Sequence, residues 1–374
     1  MRNNSTHAMF PEANHDEQAQ QNFIKSLRAH VTRNFSDGNQ AIYRNAILPE
    51  FQADHGRAPE TRKELREAFA AQPHHQWWSS MMRTTQEILY DTVGPSIERQ
   101  LPQLTERARE LRGQLGSLAL NEAVKMPRYL TAVDIHCKPG SYHTELMQDD
   151  VFAGAEFDRT YRLYSMGSFG PDLDDVGVTL ARWVKEHYPD LKPRRILDLG
   201  CTVGHSTGAY CKEFPDAEVH AIDVAAPCLR YGHARAVAMG NPIHFSQMNA
   251  EAMDFDDDCF DLIVSHAFLH ETSYRAIRKI FAECQRVLKP GGLMAHSDGV
   301  YKEDAYGKYF AEWNAIYNNE PYLGTLQDEP FDDICNHAGF PENACVLSQA
   351  VSTLQLGVGD ERAVRKFGVV AARN

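Results

Sequence analysis

Arg195-Ile-Leu-Asp-Leu-Gly-Cys-Thr-Val-Gly-His-Ser206 is the stretch that decides the fold. Ile196 to Leu199 form a short apolar run of the kind that makes a buried strand. Gly200 to Gly204 follow as a tight loop, and a helix begins at about Ser206. A strand that turns at once into a helix aims free backbone N–H groups, and the positive end of the helix dipole, at whatever lies over the turn. Glycine there permits close approach to the main chain. Thr202 stands where a dinucleotide-type fingerprint has its middle glycine, so the loop alone is a weak signature.

Downstream, apolar runs alternate with helical periodicity from Val176 onward. Strands are predicted at 195–199, 218–222, 242–248, 260–265 and 293–297, and near 344–347 and 365–371. Helices fill the gaps, including 273–287 with Ile277, Ile280, Phe281 and Cys284 turned inward, and 331–339. Such alternation implies an α/β fold with a parallel sheet covered on both faces.

Upstream the pattern is helical. Phe23, Ile24, Leu27, Val31 and Phe35 recur at helical spacing, and Asp37-Gly38 is expected to break that helix before a short one over 40–51. Residues 1 to about 15 read as frayed. A charged helix opens at Ala58-Pro-Glu-Thr, and Trp77, Trp78, Met81, Met82, Ile88 and Leu89 form a further stripe. Gly94-Pro95 interrupts. Leu101, Leu104, Ala108, Leu111, Leu115 and Leu118 then make a seam that packs inside the chain or, as a possible homodimer contact, against a second copy. Three segments result: an all-helical N-terminal domain over 1–124, a loop-rich linker or lid over 125–175, and an α/β domain over 176–374.

The net charge of −13 over 374 residues argues against a general nucleic-acid binder, which needs a basic face. The eight cysteines show no metal-type spacing and read as reduced thiols, no apolar run reaches membrane length, and the chain is read as cytoplasmic.

Five ordered motifs together resemble the class I S-adenosylmethionine-dependent methyltransferase family over roughly 176–374. They are Ile196–Gly204, Val219-His-Ala-Ile-Asp223, Asn249-Ala250, Phe260-Asp-Leu-Ile-Val-Ser265 and Val287-Leu-Lys-Pro-Gly-Gly292. The resemblance implies a Rossmann-like seven-stranded, mostly parallel sheet with helices on both faces and an antiparallel last strand. It implies S-adenosyl-L-methionine as cofactor, held by Asp198, Gly200, Cys201, Gly204, Asp223, Val224, Asn249, Ala250 and Ser265. Asp223 lies at a strand end about twenty residues beyond the glycine loop, where a carboxylate accepts both ribose hydroxyls; the alternative is a helix cap. A nicotinamide site is disfavoured because the third glycine of its fingerprint is missing and the Lys-Pro-Gly-Gly turn has no role there.

The resemblance also implies methyl transfer to a small-molecule acceptor. Leu269-His-Glu271 resembles the Leu-His-Asp of small-molecule O-methyltransferases, so O-methylation is favoured with His270 as candidate general base and His266 as the second candidate or a wall of the cofactor pocket. Glu271 is not expected to orient His270, and no metal site is expected, since His266 and His270 have no evident third ligand. Tyr306, Tyr309, Phe310, Trp313 and Tyr317 share a helical face that either walls the acceptor pocket or packs onto the helical domain. The alternative chemistry is use of the cofactor's aminocarboxypropyl arm, by transfer or cyclisation, with release of methylthioadenosine.

Overall fold

The computed structural model describes residues 7–300, 304–355 and 365–374. Eight strands form one sheet: β1 (Ser117–Ala119), β2 (Arg195–Leu199), β3 (Glu218–Asp223), β4 (Ile243–Gln247), β5 (Phe260–His266), β6 (Leu288–Asp298), β7 (Cys345–Val351) and β8 (Lys366–Arg373). Their order is β1-β4-β3-β2-β5-β6-β8-β7. Only β8 runs against its neighbours, pairing antiparallel with both β6 and β7. The alternation of side chains along each strand feeds two cores. Leu197, Leu199, Ile263 and Met294 meet the helices Tyr274–Val287 and Phe331–Ala338 on one face. Ile196, Val219, Leu262 and Val264 meet Leu180, Trp183, Tyr210 and Leu229 on the other.

The seven strands after residue 176 are those expected, but the sheet has an eighth, β1, from the segment read as all-helical. Ser117↔His244 and Ala119↔Ser246 set its register at the edge. Leu118 therefore leaves the heptad-like seam. The rest of that seam, on the helix Leu101–Leu111, is used inside the chain: Leu101, Leu104 and Ala108 bury against Val93, Ile97 and Tyr231.

Three local expectations are corrected. Asp37-Gly38 does not stop the first helix. The chain stays helical from His15 to His55, through π-helical turns at Val31–Phe35 and Tyr43–Ile47. Gly38 is there for packing, since a Cβ would lie 2.5 Å from the His74 ring. Gly94-Pro95 does not interrupt either. The helix Pro73–Glu98 runs through Pro95, which gives up the one ladder bond its N–H would have made, while Gly94 beside it is buried. The start is not frayed from His7 on, because Met9 and Phe10 are buried and His7 Nε2 lies 2.9 Å from Asp158 Oδ2.

Residues 125–175 are also less irregular than read. They include a buried helix, Phe152–Tyr164, with Leu163, Ala153 and Ala155 in the core shared with the helical region. The aromatic face of the helix Ala305–Asn318 packs onto the N-terminal helices. Trp313 stacks on Trp78 with ring centroids 3.9 Å apart and donates to Ser79 Oγ at 2.8 Å. Among the described residues no helix is long and apolar enough to cross a membrane.

Candidate active site

Parallel strands bring their carboxyl ends to one edge, and ligands of such sheets bind there. Asp198, Asp223, His266 and Asp298 stand at the ends of β2, β3, β5 and β6. A cavity of about 320 Å³ opens over them. The helical region and the 125–175 segment roof it with Tyr90, Tyr142, Phe157, Tyr161 and Tyr164.

At one end lies the glycine loop. Gly200 has φ +65° and its missing Cβ would fall 2.2 Å from the Phe268 ring, so a side chain, Phe268, makes the close approach there. Thr202 adopts the left-handed φ of 50° that the absent glycine would have taken. Its N–H donates to Asp223 Oδ2 at 2.9 Å, which holds the strained residue in place. Asp223 Oδ1 accepts the Ala225 N–H at 2.9 Å in the turn ahead of the helix Ala226–Met239, and the residue lines the cavity. Burial pushes its carboxyl up to about 6, against the two N–H bonds that lower it. Asp198 Oδ2 accepts the Thr207 hydroxyl. Asp198 Oδ1 is buried without a hydrogen bond, with His266 Nδ1 at 3.4 Å.

Cys201, Val224, Asn249 and Ala250 line the cavity with Asp198, Gly200 and Asp223. Asn249 Oδ1 accepts the Glu251 N–H at 2.9 Å. Gly204 and Ser265 do not line it. Gly204 closes the loop on itself, its N–H donating to the Cys201 carbonyl at 2.8 Å. Ser265 points to the other sheet face from His266, and its hydroxyl pairs with His296 Nδ1 at 2.7 Å.

The other end of the cavity is a chain of acids and imidazoles. His270 Nδ1 lies 2.6 Å from Asp298 Oδ1, and Nε2 lies 3.6 Å from Glu320 Oε1. Glu320 Oε1 is 3.3 Å from His136 Nδ1, and His136 Nε2 is 3.1 Å from Glu271 Oε1. Tyr142 donates its hydroxyl to the same Glu271 oxygen at 2.7 Å. Burial opposes charge on His270, yet Asp298 and Glu320 overcome it and hold the imidazole well above its usual pKa. His136 is likewise raised against burial by Glu320 and Glu271. Both ring nitrogens of His270 thus face carboxylates, Nδ1 on Asp298 and Nε2 toward Glu320. His266 lines the cavity and is engaged with the Tyr210 hydroxyl at 2.9 Å beside Asp198. Glu271 does not touch His270; Asp298 orients that ring.

Residues 196–292 match the family model described as a methyltransferase domain. This domain belongs to the class I S-adenosylmethionine-dependent methyltransferases. A malonyl-[acyl-carrier protein] O-methyltransferase of Methylococcus capsulatus is 34% identical over 147 residues, 38% of this chain and 49% of that protein. A ribosomal RNA small subunit methyltransferase C of Actinobacillus pleuropneumoniae is 27% identical over 174 residues, 44% and 51% of the two chains. The chain thus spans about half the length of these curated relatives. A phosphoethanolamine N-methyltransferase 2 of Haemonchus contortus, solved with phosphomonomethylethanolamine and S-adenosylhomocysteine, is similar at 16% identity and a TM-score of 0.42, over 62% of this chain and 60% of that one. The acceptors named for these three proteins differ from one another.

The residues gathered around His270 at the other end of the cavity escaped the sequence reading. Asp298 had the same signal as Asp223, an acid closing an apolar run. His136, Tyr142 and Glu320 had none, since they meet only through tertiary packing. Asp158 is similar: it is buried on the helix Phe152–Tyr164 and held by His205 Nε2 at 2.9 Å and by the Tyr231 hydroxyl at 2.8 Å. It fixes that helix, whose Phe157 and Tyr161 stack against the cavity-lining His205.

Proposed function

We propose that the protein transfers the methyl group of S-adenosylmethionine to a small-molecule acceptor bound in the same cavity. The observation that carries this reading is the continuity of one hollow. It runs from Asp198, Gly200 and Asp223 to His136, His270, Glu271 and Glu320.

The residues present fit the cofactor. Asp198 Oδ1, a buried acceptor without a donor, suits the ammonium of its amino-acid part. Asp223 suits the ribose hydroxyls, and Asn249 and Ala250 border the place for adenine. When bound, S-adenosylmethionine supplies an electrophilic methyl on sulfonium, released as the acceptor's electron pair forms the new bond and the carbon–sulfur pair stays on sulfur. The chain's own work is placement and exclusion of water. Such placement accelerates an in-line transfer greatly. The aromatic roof also puts ring faces near a cationic centre, which favours it over water.

As a base for O-methylation, His270 would have to act with Nδ1 on Asp298 and Nε2 3.6 Å from Glu320, which leaves neither nitrogen turned freely to an acceptor. No feature of the cavity favours the aminocarboxypropyl alternative. Incubating the protein with S-adenosylmethionine and a metabolite extract tests the reading by mass spectrometry. S-adenosylhomocysteine with an acceptor heavier by one methylene supports it. Methylthioadenosine, or unconsumed cofactor, contradicts it.

A further inference from the structure

The acceptor end of the cavity has more hydrogen-bond acceptors than donors to meet them. Two cavity-lining side chains there, each more than nine-tenths buried, carry an oxygen with no hydrogen-bond partner: Gln86 Oε1 and Glu320 Oε2. Both belong to one spot. Gln86 donates its Nε2 to the His136 carbonyl at 2.8 Å, and Glu320 Oε1 sits 3.3 Å from the His136 ring. A buried acceptor left unpaired is costly, so a native cavity lined by two of them calls for a donor.

Charge points the same way. Among the described residues lining the cavity there is no lysine or arginine. Lys138, in the same loop as His136, is buried in an ion pair with Glu156 at 2.6 Å. Around the spot stand three carboxylates, Asp298, Glu320 and Glu271, and two imidazoles, His270 and His136. The carboxylates outnumber the imidazoles, so a cation suits the spot better than a carboxylate or phosphate ligand does. The Tyr90 and Tyr142 rings, which also line the cavity, accept a cation on their faces.

Resting on the methyl-transfer reading above, we infer that the acceptor is a basic amine, bound through its N–H groups by Glu320 and Gln86 at the His136 corner of the cavity. A hydroxyl has one hydrogen to give and satisfies one of the two oxygens. A protonated primary amine has three and satisfies both. Before its nitrogen pair is free to attack, the ammonium must give up one proton. Water takes that proton as the amine enters, and the neutral amine then keeps two N–H groups for the two oxygens and a free pair for the methyl. Glu320 thus binds and orients the acceptor, while His270 and His136 hold the carboxylate in position.

The test uses the full-length protein, methyl-labelled S-adenosylmethionine and a metabolite extract split by ion exchange into cationic, neutral and anionic fractions. Label is expected in the cationic fraction. Glu320→Gln is expected to lower kcat/KM for that fraction by roughly tenfold to a hundredfold, the range for losing a charge-assisted hydrogen bond. Its affinity for S-adenosylhomocysteine, read by calorimetry, should stay within about twofold, which also reports that the variant is folded. Label in the neutral or anionic fraction overturns the inference and leaves methyl transfer standing. Absence of label from every fraction, in a protein that binds S-adenosylhomocysteine, also overturns it. Failure of the unaltered protein to bind S-adenosylhomocysteine overturns the methyl-transfer reading itself.

Discussion

Asp223→Asn is nearly isosteric and removes one acceptor and one charge from the centre of the cofactor end. In the protein, Oδ1 accepts the Ala225 N–H and Oδ2 accepts the Thr202 N–H, each at 2.9 Å. An amide has a single acceptor oxygen, so its NH₂ must face one of these N–H groups and leave it unpaired. The cofactor side loses a charge-assisted bond, worth about 1.5–3 kcal/mol. That corresponds to roughly tenfold to 150-fold weaker binding of S-adenosylhomocysteine. The assay is calorimetric titration of both proteins across pH. Burial raises the Asp223 carboxyl to about 6, so below that pH the ligand-free site carries a proton it must release to accept hydroxyl donors. Affinity of the unaltered protein is therefore expected to fall by up to about tenfold per pH unit below that value and to stay flat above it. The variant should lack this dependence. Equal affinity and the same pH profile in both proteins would refute the reasoning.

Three further outcomes are expected. Gly200→Ala places a Cβ 2.2 Å from the Phe268 ring at a φ of +65°, and should cost about 2–5 kcal/mol in urea unfolding, with loss of S-adenosylhomocysteine binding. Asp298→Asn strips the buried His270 imidazolium of its closest carboxylate and should destabilise by about 3–5 kcal/mol. The raised His270 contributes fully below its unfolded value of 6.5 and less as pH rises through its folded pKa. The lowered Asp298 contributes above its unfolded 3.8 and less as pH falls through its folded pKa. The urea-measured gap between this variant and the unaltered protein should thus be widest between pH 3.8 and 6.5 and should narrow on either side. Gly38→Ala adds helix propensity worth about 0.8–1 kcal/mol, yet its Cβ would meet the His74 ring at 2.5 Å, so a lower melting temperature is expected. A rise would mean that the ring yields freely.

The centre of the sheet was legible because β2, β5 and β6 each carry a short, mostly apolar run and the segments between strands show helical periodicity. The strand at Arg195–Leu199 falls where its residues predict it. β1 was not legible: three residues at a sheet edge, with Ser117 and Ala119 exposed, carry no run and no alternation to read. Gly38 and Gly94-Pro95 misled because local breaker rules ignore what packs against the chain. In both cases burial against neighbouring helices outweighs the local preference. Thr202 was rightly singled out as a departure, but only the structure shows that the backbone keeps the glycine-like turn and ties it to Asp223.

The cavity divides in the same way. Its cofactor end is local in sequence, since strand tips and the turns after them carry Asp198, Asp223 and Asn249. Its acceptor end is assembled from the helix Pro73–Glu98, the loop around His136 and the turn after the helix Ala305–Asn318. No spacing rule joins Gln86, His136 and Glu320. The surroundings of His270 were equally hidden, because Asp298 and Glu320 reach it from distant points of the chain.

A crystal structure of the protein with S-adenosylhomocysteine bound addresses most directly whether this hollow is where methyl transfer is set up. Both ribose hydroxyls should lie within hydrogen-bond distance of the Asp223 carboxylate, and the amino group should lie on Asp198 Oδ1. The sulfur should face the His136–Glu320 corner. A nucleoside bound elsewhere, or one lying in the hollow with Asp223 and Asp198 untouched, would contradict it.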